Sequence, residues 1–469
     1  MRIRSIRSGR FAVGLAVLAL VAAACSTGAT ESPAASPGAS TAASAEPSMS
    51  TEPVVVCELA YYTGEFAPYG PALTSDVAFP IQSVINEDPP LGREWDLVSE
   101  DLGTVGEAQA ARTCLEQRGA EIVVSIAHGY RTYRDFMMDW WQENDSPLGP
   151  SVHGGAIPGN LGGKAAEPIF RAQGLDEALG TSGSQYAESI GATKVVIFAT
   201  QVEGFQLAAN AAEAAADVLG LEVLARIDVP AEQPSYLAEA QRIADLKPDA
   251  VIVQAGSVES ATLIKQAASA GLSLNWIGET GWSQSEFIGT LGAETIATQK
   301  GIGYAAFSPD TSTDAWAFYQ PLRDGETDAL VDQFDIKDPY GADNPYAYST
   351  YDLLVQTALA VEAAGSYKAS AWAPAMFEVG DGGEKCYTYA DCLAMIRDGK
   401  DIDYDGITGS GLYTDGGVND VRAAYTPFQA DGTAGDPILL DAEKSLEIVE
   451  QIATQADCDP AAPPNECTW

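Results

Sequence analysis

Two histidines are all the imidazole chemistry that this chain of 469 residues holds. His128 lies in Ala127-His128-Gly129-Tyr130, and His153 in Val152-His153-Gly154-Gly155-Ala156. Each follows a strand-like stretch and precedes glycine, which permits close backbone approach to a ligand. Mechanisms that pass protons among several imidazoles are excluded. No clustered carboxylate or thiolate completes a metal site around the pair, so no metal and no cofactor is expected. Each histidine reads as a ligand contact or as a structural histidine at a cleft rim. Two acids stand at further strand ends, Glu203 in Gln201-Val202-Glu203-Gly204 and Glu279 in Glu279-Thr280-Gly281-Trp282. Carboxylates facing one cleft are the arrangement of glycoside hydrolysis, an acid beside a base or nucleophile. They equally suit a cationic or amine-bearing solute, because a carboxylate in a closing cleft needs a cation or donor to offset its desolvation. The bland option is solvated loop acids in a chain with 66 of them. Other enzyme signatures are absent. Gly180-Thr181-Ser182-Gly183 lacks the spacing of a nucleophile elbow, and Gly162-Gly163-Lys164 is too short for a phosphate-binding loop. The expectation is binding without catalysis, and no catalytic residue is assigned.

The cysteines number seven, and an odd count asks for one with a separate task. Arg2, Arg4, Arg7 and Arg10 precede the apolar run Phe11–Ala24, which is too short for a comfortable membrane span but suits a signal-peptide core over residues 1–24. The run ends in Ala22-Ala23-Ala24-Cys25, similar to a bacterial lipobox with Ala22 in place of the usual Leu or Val. Cys25 is therefore the expected lipid anchor, with ordinary cleavage nearby as the alternative. Residues 25–53 are rich in Ser, Ala, Thr and Pro and read as a disordered tether. Six cysteines remain, and an even remainder outside the membrane suggests disulfides with fifteen connectivities. Proximity favours Cys386 with Cys392 and Cys458 with Cys467, leaving Cys57 with Cys114. Zinc is the alternative, but no CxxC pair or histidine partner accompanies them.

Lys and Arg together number 25 against 66 Asp and Glu, a formal charge of −41. Removal of the four leading arginines makes the remainder more acidic still. Such a surface repels phosphate backbones and anionic headgroups, which argues against nucleic-acid binding and polybasic membrane docking. With 46% hydrophobic residues the chain can build real cores, so wholesale disorder is excluded.

The elements that must hold these residues alternate strand and helix. Strands are expected at Val54–Tyr61, Trp95–Ser99, Glu121–Ala127 and near Ser151–His153, with helices at Ala72–Asn86, Glu107–Arg118 and Thr132–Glu143. After the Gly/Pro-rich stretch Gly154–Gly163 the pattern restarts. Strands are expected at Lys194–Ala199, Leu221–Val229, Ala250–Gln254 and Leu274–Gly278, alternating with helices at Gly204–Leu219, Tyr236–Leu246 and Ser260–Ala270. Continuous Val/Ile runs between helices indicate parallel sheets covered on both faces, hence an α/β fold of two doubly wound lobes. In such sheets ligands sit at the carboxyl ends of strands, near helix N-termini.

Three segments carry a family likeness. Leu59-Ala60-Tyr61-Tyr62-Thr63-Gly64-Glu65-Phe66-Ala67-Pro68-Tyr69-Gly70 resembles an opening small–Ser/Thr–Gly–x–x–Ala–x–x–Gly segment. Phe170-Arg171-Ala172-Gln173-Gly174-Leu175-Asp176 resembles a crossover between lobes, and Gly406-Ile407-Thr408-Gly409 with Tyr413-Thr414-Asp415-Gly416-Gly417 a C-terminal signature. In order and spacing, over about 53–435, the chain resembles the branched-chain amino-acid type of substrate-binding protein, the leucine-binding-protein-like class of type I periplasmic binding proteins.

The resemblance implies two lobes joined by a multi-strand hinge around a central ligand cleft. Lobe 1 is expected from 54–172 and 305–408, lobe 2 from 173–304 and 409–455, and a tail from 456–469. It implies an exported receptor, a lipid-anchored monomer outside the bacterial cytoplasmic membrane, that captures a small polar solute (amino acid, amide or other amine-bearing compound) and delivers it to the permease and ATPase subunits of an ABC importer. A ligand-sensing lipoprotein serving a signalling partner is the alternative, and a cleft hydrolase a lesser one. Carried over residue by residue, the first-lobe ligand contacts fall on His128, Gly129, Tyr130, His153, Gly154, Gly155 and Ala156. Gly129 and Ala156 stand where or near where relatives carry hydroxyls, which removes the side-chain part of a carboxylate clamp and argues against an ordinary aliphatic amino acid. Glu203 falls where relatives often place an aromatic. Glu279, one residue early in an acidic segment continued by Thr280 and Trp282, is the expected partner of a ligand amine. Tyr69 and Trp282 are the expected aromatic lids, and Asn344–Tyr348 offers one more cleft aromatic. Residues 380–400 read as an insertion that caps lobe 1.

Overall fold

Seven residues, Val54–Ala60 (β1), begin the first sheet, and all but Val55 are buried. This is the continuous burial of a central parallel strand. The computed structural model describes residues 51–64, 66–125, 130–145, 169–171, 176–408, 423–441, 444–445, 447–448 and 451–452. β1 pairs in parallel with Trp95–Asp101 (β2) on one side and Ile122–Ser125 (β3) on the other. Gly70–Ser83 (α1) follows β1, Leu102–Val105 (α2) and Glu107–Arg112 (α3) follow β2, and Tyr130–Asn144 (α4) follows β3. The helix expected to run to Arg118 departs from α-geometry after Arg112 and continues as a π-turn over Thr113–Gln117. That turn carries Cys114, disulfide-bonded to Cys57 of β1.

The second sheet starts after Asp176–Ser189 (α5). Lys194–Thr200 (β4), Glu203–Val218 (α6), Glu222–Val229 (β5), Leu237–Leu246 (α7), Ala250–Gln254 (β6), Ser257–Ser269 (α8), Asn275–Gly278 (β7), Ser285–Leu291 (α9), Ala293–Ile296 (α10) and Gly301–Phe307 (β8) follow in turn. Strands β5-β4-β6-β7-β8 are parallel neighbours. Chain order reverses between β4 and β6, which makes the carboxyl ends of those two strands the topological switch point of this lobe. In β6 the side chains of Val251 and Val253 enter one apolar cluster, and those of Ala250 and Ile252 another on the opposite face. Both faces are therefore covered, as the unbroken apolar run predicts.

The chain then runs through Asp314–Phe334 (α11), Pro345–Ala364 (α12), Ala369–Glu378 (α13), Glu384–Cys386 (β9), Tyr389–Arg397 (α14) and Ile402–Tyr404 (β10). Helices α11 and α12 pack on α1, so one apolar core gathers residues from 54–170 and 315–407, while separate clusters gather those from 187–302. Ala423–Pro427 (β11) returns to the second sheet antiparallel to β8, and Ile438–Leu439 (β12) pairs antiparallel with β11 at the edge. The segment from β9 to β10 is fastened to the first core. Cys386 is bonded to Cys392, Arg397 pairs with Asp88 and Glu362, and the Tyr389 hydroxyl donates to the Asp88 carbonyl at 2.9 Å. Cys25, Cys458, Cys467 and the strand expected near Ser151–His153 lie outside the described residues. No described helix is long and apolar enough to cross a membrane.

Candidate functional site

The loop after β1 is built to face the second sheet. Asp101, at the end of β2, accepts from the backbone N–H groups of Tyr62 and Thr63 and from the Thr63 hydroxyl at 2.8–3.2 Å. Partial burial alone would raise this carboxyl, but the hydrogen bonds converging on it win and hold it below the ordinary carboxylate range. Gly64 turns the loop with φ +84°, where a side chain is strained. Gly70 lets α1 start against the Tyr61 carbonyl, because a Cβ there would fall 1.6 Å from that oxygen. These two glycines fix Tyr61, Phe66 and Tyr69 as one aromatic wall, with ring centroids 5.0 and 6.2 Å apart along it.

Opposite that wall lie the strand ends of the second sheet, and a cleft partly open to solvent separates the two, its empty space about 790 Å³ when the open solvent at its mouth is included. The first lobe contributes the aromatic wall with Leu73, and Tyr340 and Tyr346 beside the start of α12. The second contributes Leu179 of α5, Val202, Gly204, Phe205 and Ala208 around the start of α6, Gln254 at the end of β6, and Glu279 and Gly281 after β7. Phe66 meets Phe205 across the gap at 6.4 Å. A polar chain also crosses it. The Ser257 hydroxyl donates to the Gly281 carbonyl at 2.7 Å, and Tyr69 Oη lies 2.7 Å from Ser257 Oγ. Serine has one proton and it is committed to the carbonyl, so Tyr69 is the donor to serine. Burial, and then the nearby Glu279 carboxylate, push the Tyr69 phenol well above its ordinary value, which keeps it a donor. Glu279 is 7% exposed and accepts from the Gly281 N–H at 2.7 Å, at the start of the short turn Thr280–Ser283. Gly281 leaves room for that carboxylate, since a Cβ would fall 2.6 Å from Glu279 Oε1.

Of the residues expected to form the site, the structure brings Tyr69 and Glu279 together in this cleft. Glu203 opens α6, whose first turn lines it. Within Asn344–Tyr348, Tyr346 lines the cleft while Tyr348 is buried in the first core. Trp282, expected as a lid, is fully buried beneath the strand ends and stacks on Phe287 at 4.4 Å. Gly278 explains the position, because a Cβ there would fall 2.1 Å from the indole. Thr280 lines a neighbouring recess, not the cleft, and Tyr130 packs edge-on to Tyr133 in the first core. His128, Gly129, His153, Gly154, Gly155 and Ala156 lie outside the described residues. Sequence reasoning passed over Phe205, Tyr340 and Gln254. For Gln254 the signal was present, as the one polar residue ending the buried run Ala250–Gln254.

The periplasmic binding protein family matches residues 53–382, well over half of the sequence. The chain belongs to that family. Its solved relatives confirm the fold of this periplasmic binding protein. It superposes on the leucine-binding protein LivK from Thermotoga maritima with a TM-score of 0.62 at 16% identity, over 83% of this chain and 99% of that one. The branched-chain amino acid transporter substrate-binding protein LivJ from Streptococcus pneumoniae, in complex with isoleucine, gives 0.61 at 17% identity over 82% and 99%. An ABC transporter solute-binding protein from R. palustris, in complex with benzoate, gives 0.62 at 17% identity over 83% and 96%. No curated protein sequence matches. The family and these neighbours are substrate-binding receptors, not enzymes, which gives this periplasmic binding protein a solute-binding role and an extracytoplasmic location.

Proposed function

We propose that this protein captures a small amine- or amide-bearing solute between two closing lobes and delivers it to the permease and ATPase subunits of an ABC importer, held at the membrane by a lipid on Cys25. The observation that carries the ligand class is Glu279, a carboxylate 7% exposed that lines the aromatic cleft and, beside the Gly281 N–H it accepts, has acceptor capacity for a further donor. An N–H donor on the solute offsets its desolvation, and the six aromatic residues around it favour a solute with a flat or apolar body. The hydrogen bond from Tyr69 to Ser257 supports closure, since it joins residues 188 positions apart on opposite walls. Thermal-shift screening of the purified chain against amino acids, amides, amines and ureas, with native mass spectrometry for co-purified solute, tests the reading. A single hit class bearing N–H donors is expected, bound at one per chain. Glu279→Gln should weaken that hit about tenfold or more. Unchanged affinity in the variant, or no hit in any amine- or amide-bearing panel, sinks the proposal.

A further inference from the structure

Gln254 ends β6 at the switch point of the second sheet, lines the cleft and is 1% exposed, yet neither its Oε1 nor its Nε2 has a hydrogen-bond partner. Strand alternation puts its side chain on the face of Ala250 and Ile252. Leu179 of α5 and Ala208 of α6 line the cleft beside it. Nearly all buried polar side-chain atoms in folded proteins are paired, so a primary amide with both ends unmet at the floor of a binding cleft points to what the ligand supplies. Because both atoms are unpaired, the amide can present donor and acceptor in either order. Tyr340 adds a second unpartnered group on the facing wall, its hydroxyl buried and 3% of the residue exposed.

Resting on the solute-binding reading above, we infer that Gln254 selects a planar solute whose edge carries a hydrogen-bond donor and an acceptor side by side, as an aryl carboxamide does. A carboxylate offers acceptors alone and leaves Oε1 of Gln254 facing another oxygen. An ammonium offers donors alone and leaves Nε2 unmet. An amide edge meets both atoms through two parallel N–H···O bonds, and the rings of Phe66, Tyr69 and Phe205 cover a flat body of that kind. The described lining also lacks the cation that a carboxylate would need to leave water.

Three probes with one ring and three head groups separate these cases: benzamide, benzoate and benzylamine, titrated calorimetrically into the full-length protein at neutral pH. Benzamide is expected to bind about tenfold or more tighter than the other two, the fold-change of one unmet buried hydrogen bond. Gln254→Leu should abolish that preference. Gln254→Glu, which keeps the shape and presents acceptors alone, should shift it toward benzylamine. Circular dichroism and Tm establish that each variant is folded. Tighter binding of benzoate or benzylamine to the natural chain, or a benzamide preference that survives in both variants, overturns the inference and leaves the solute-binding reading intact. The same holds if none of the three binds while another solute does. If no solute binds at all, both fall.

Discussion

Glu58, midway along β1, has no exposed surface, and burial pushes its carboxyl from an ordinary 4.5 up to about 7. Hydrogen bonds from the Ser99 and Thr74 hydroxyls, at 2.8 and 3.1 Å, pull the other way and do not offset it. The folded chain therefore holds a proton that the unfolded chain has released between about pH 4.5 and 7. The stability tied to that proton is full below the lower value and is lost as pH rises through the upper one. Urea denaturation at pH 5 and pH 8 should show the natural chain losing on the order of 1–3 kcal/mol more than Glu58→Gln across that interval. Equal losses would place the titration elsewhere. Asp76, also pushed up by burial, is present in both proteins and largely cancels from the comparison. At this scale the sequence was readable for the places of Tyr69 and Glu279, which stand near strand ends and line the cleft. It misled at Trp282, because the vacancy that draws the indole inward is the missing side chain of Gly278, a steric fact that becomes visible only once the strand and the turn face each other. Gln254 was read by its strand alone: its polar place at the end of an apolar run marked it as unusual, but whether such an end is paired shows only in the fold.

Among the elements, α1 is the part on which the cleft turns. Its first residue, Gly70, abuts the Tyr61 carbonyl, and the residue before it carries the bond to Ser257. Gly70→Ala forces the start of the helix off β1, and a loss of on the order of 1–3 kcal/mol in unfolding free energy is expected together with weaker solute binding. Tyr69→Phe removes the crossing hydrogen bond without a steric change. It should leave the Tm of the solute-free protein within about 1–2 °C, the shift that roughly 1 kcal/mol produces in a chain of this size, while lowering affinity severalfold. Melting curves and titrations of the two variants distinguish support of the helix from support of closure; identical behaviour would contradict the separation. The parallel strands β4 and β6 were legible because covered sheets demand unbroken apolar runs. Helix α12 was not, because it is buried on nearly every side from Pro345 to Val361 and shows no stripe for a 3.6-residue period to reveal. Strands β11 and β12 run to five and two residues, too little sequence to carry an alternation.

At the scale of the whole molecule, the formal charge of −41 fits a protein that works in solution beside a membrane without adhering to it electrostatically. In the proposed function, attachment depends on a lipid at Cys25. Expressed in bacteria, the natural chain should follow the detergent-rich phase on phase partition, and Cys25→Ser should remain in the aqueous phase; aqueous partition of both would remove the anchor from the proposal. The two-lobed plan was legible as a whole because its evidence is repetitive: the same alternation occurs twice, with a Gly/Pro-rich break between. The disulfide from Cys57 to Cys114, with a sequence separation of 57, makes a closed ring of backbone inside the first lobe. Tyr61, Phe66, Tyr69 and Leu73, the cleft-facing residues before β2, all lie on that ring. A single cut anywhere along it opens the circle without producing two molecules, so damage to the most exposed stretch of the binding wall leaves its fragments tethered within reach of their native places.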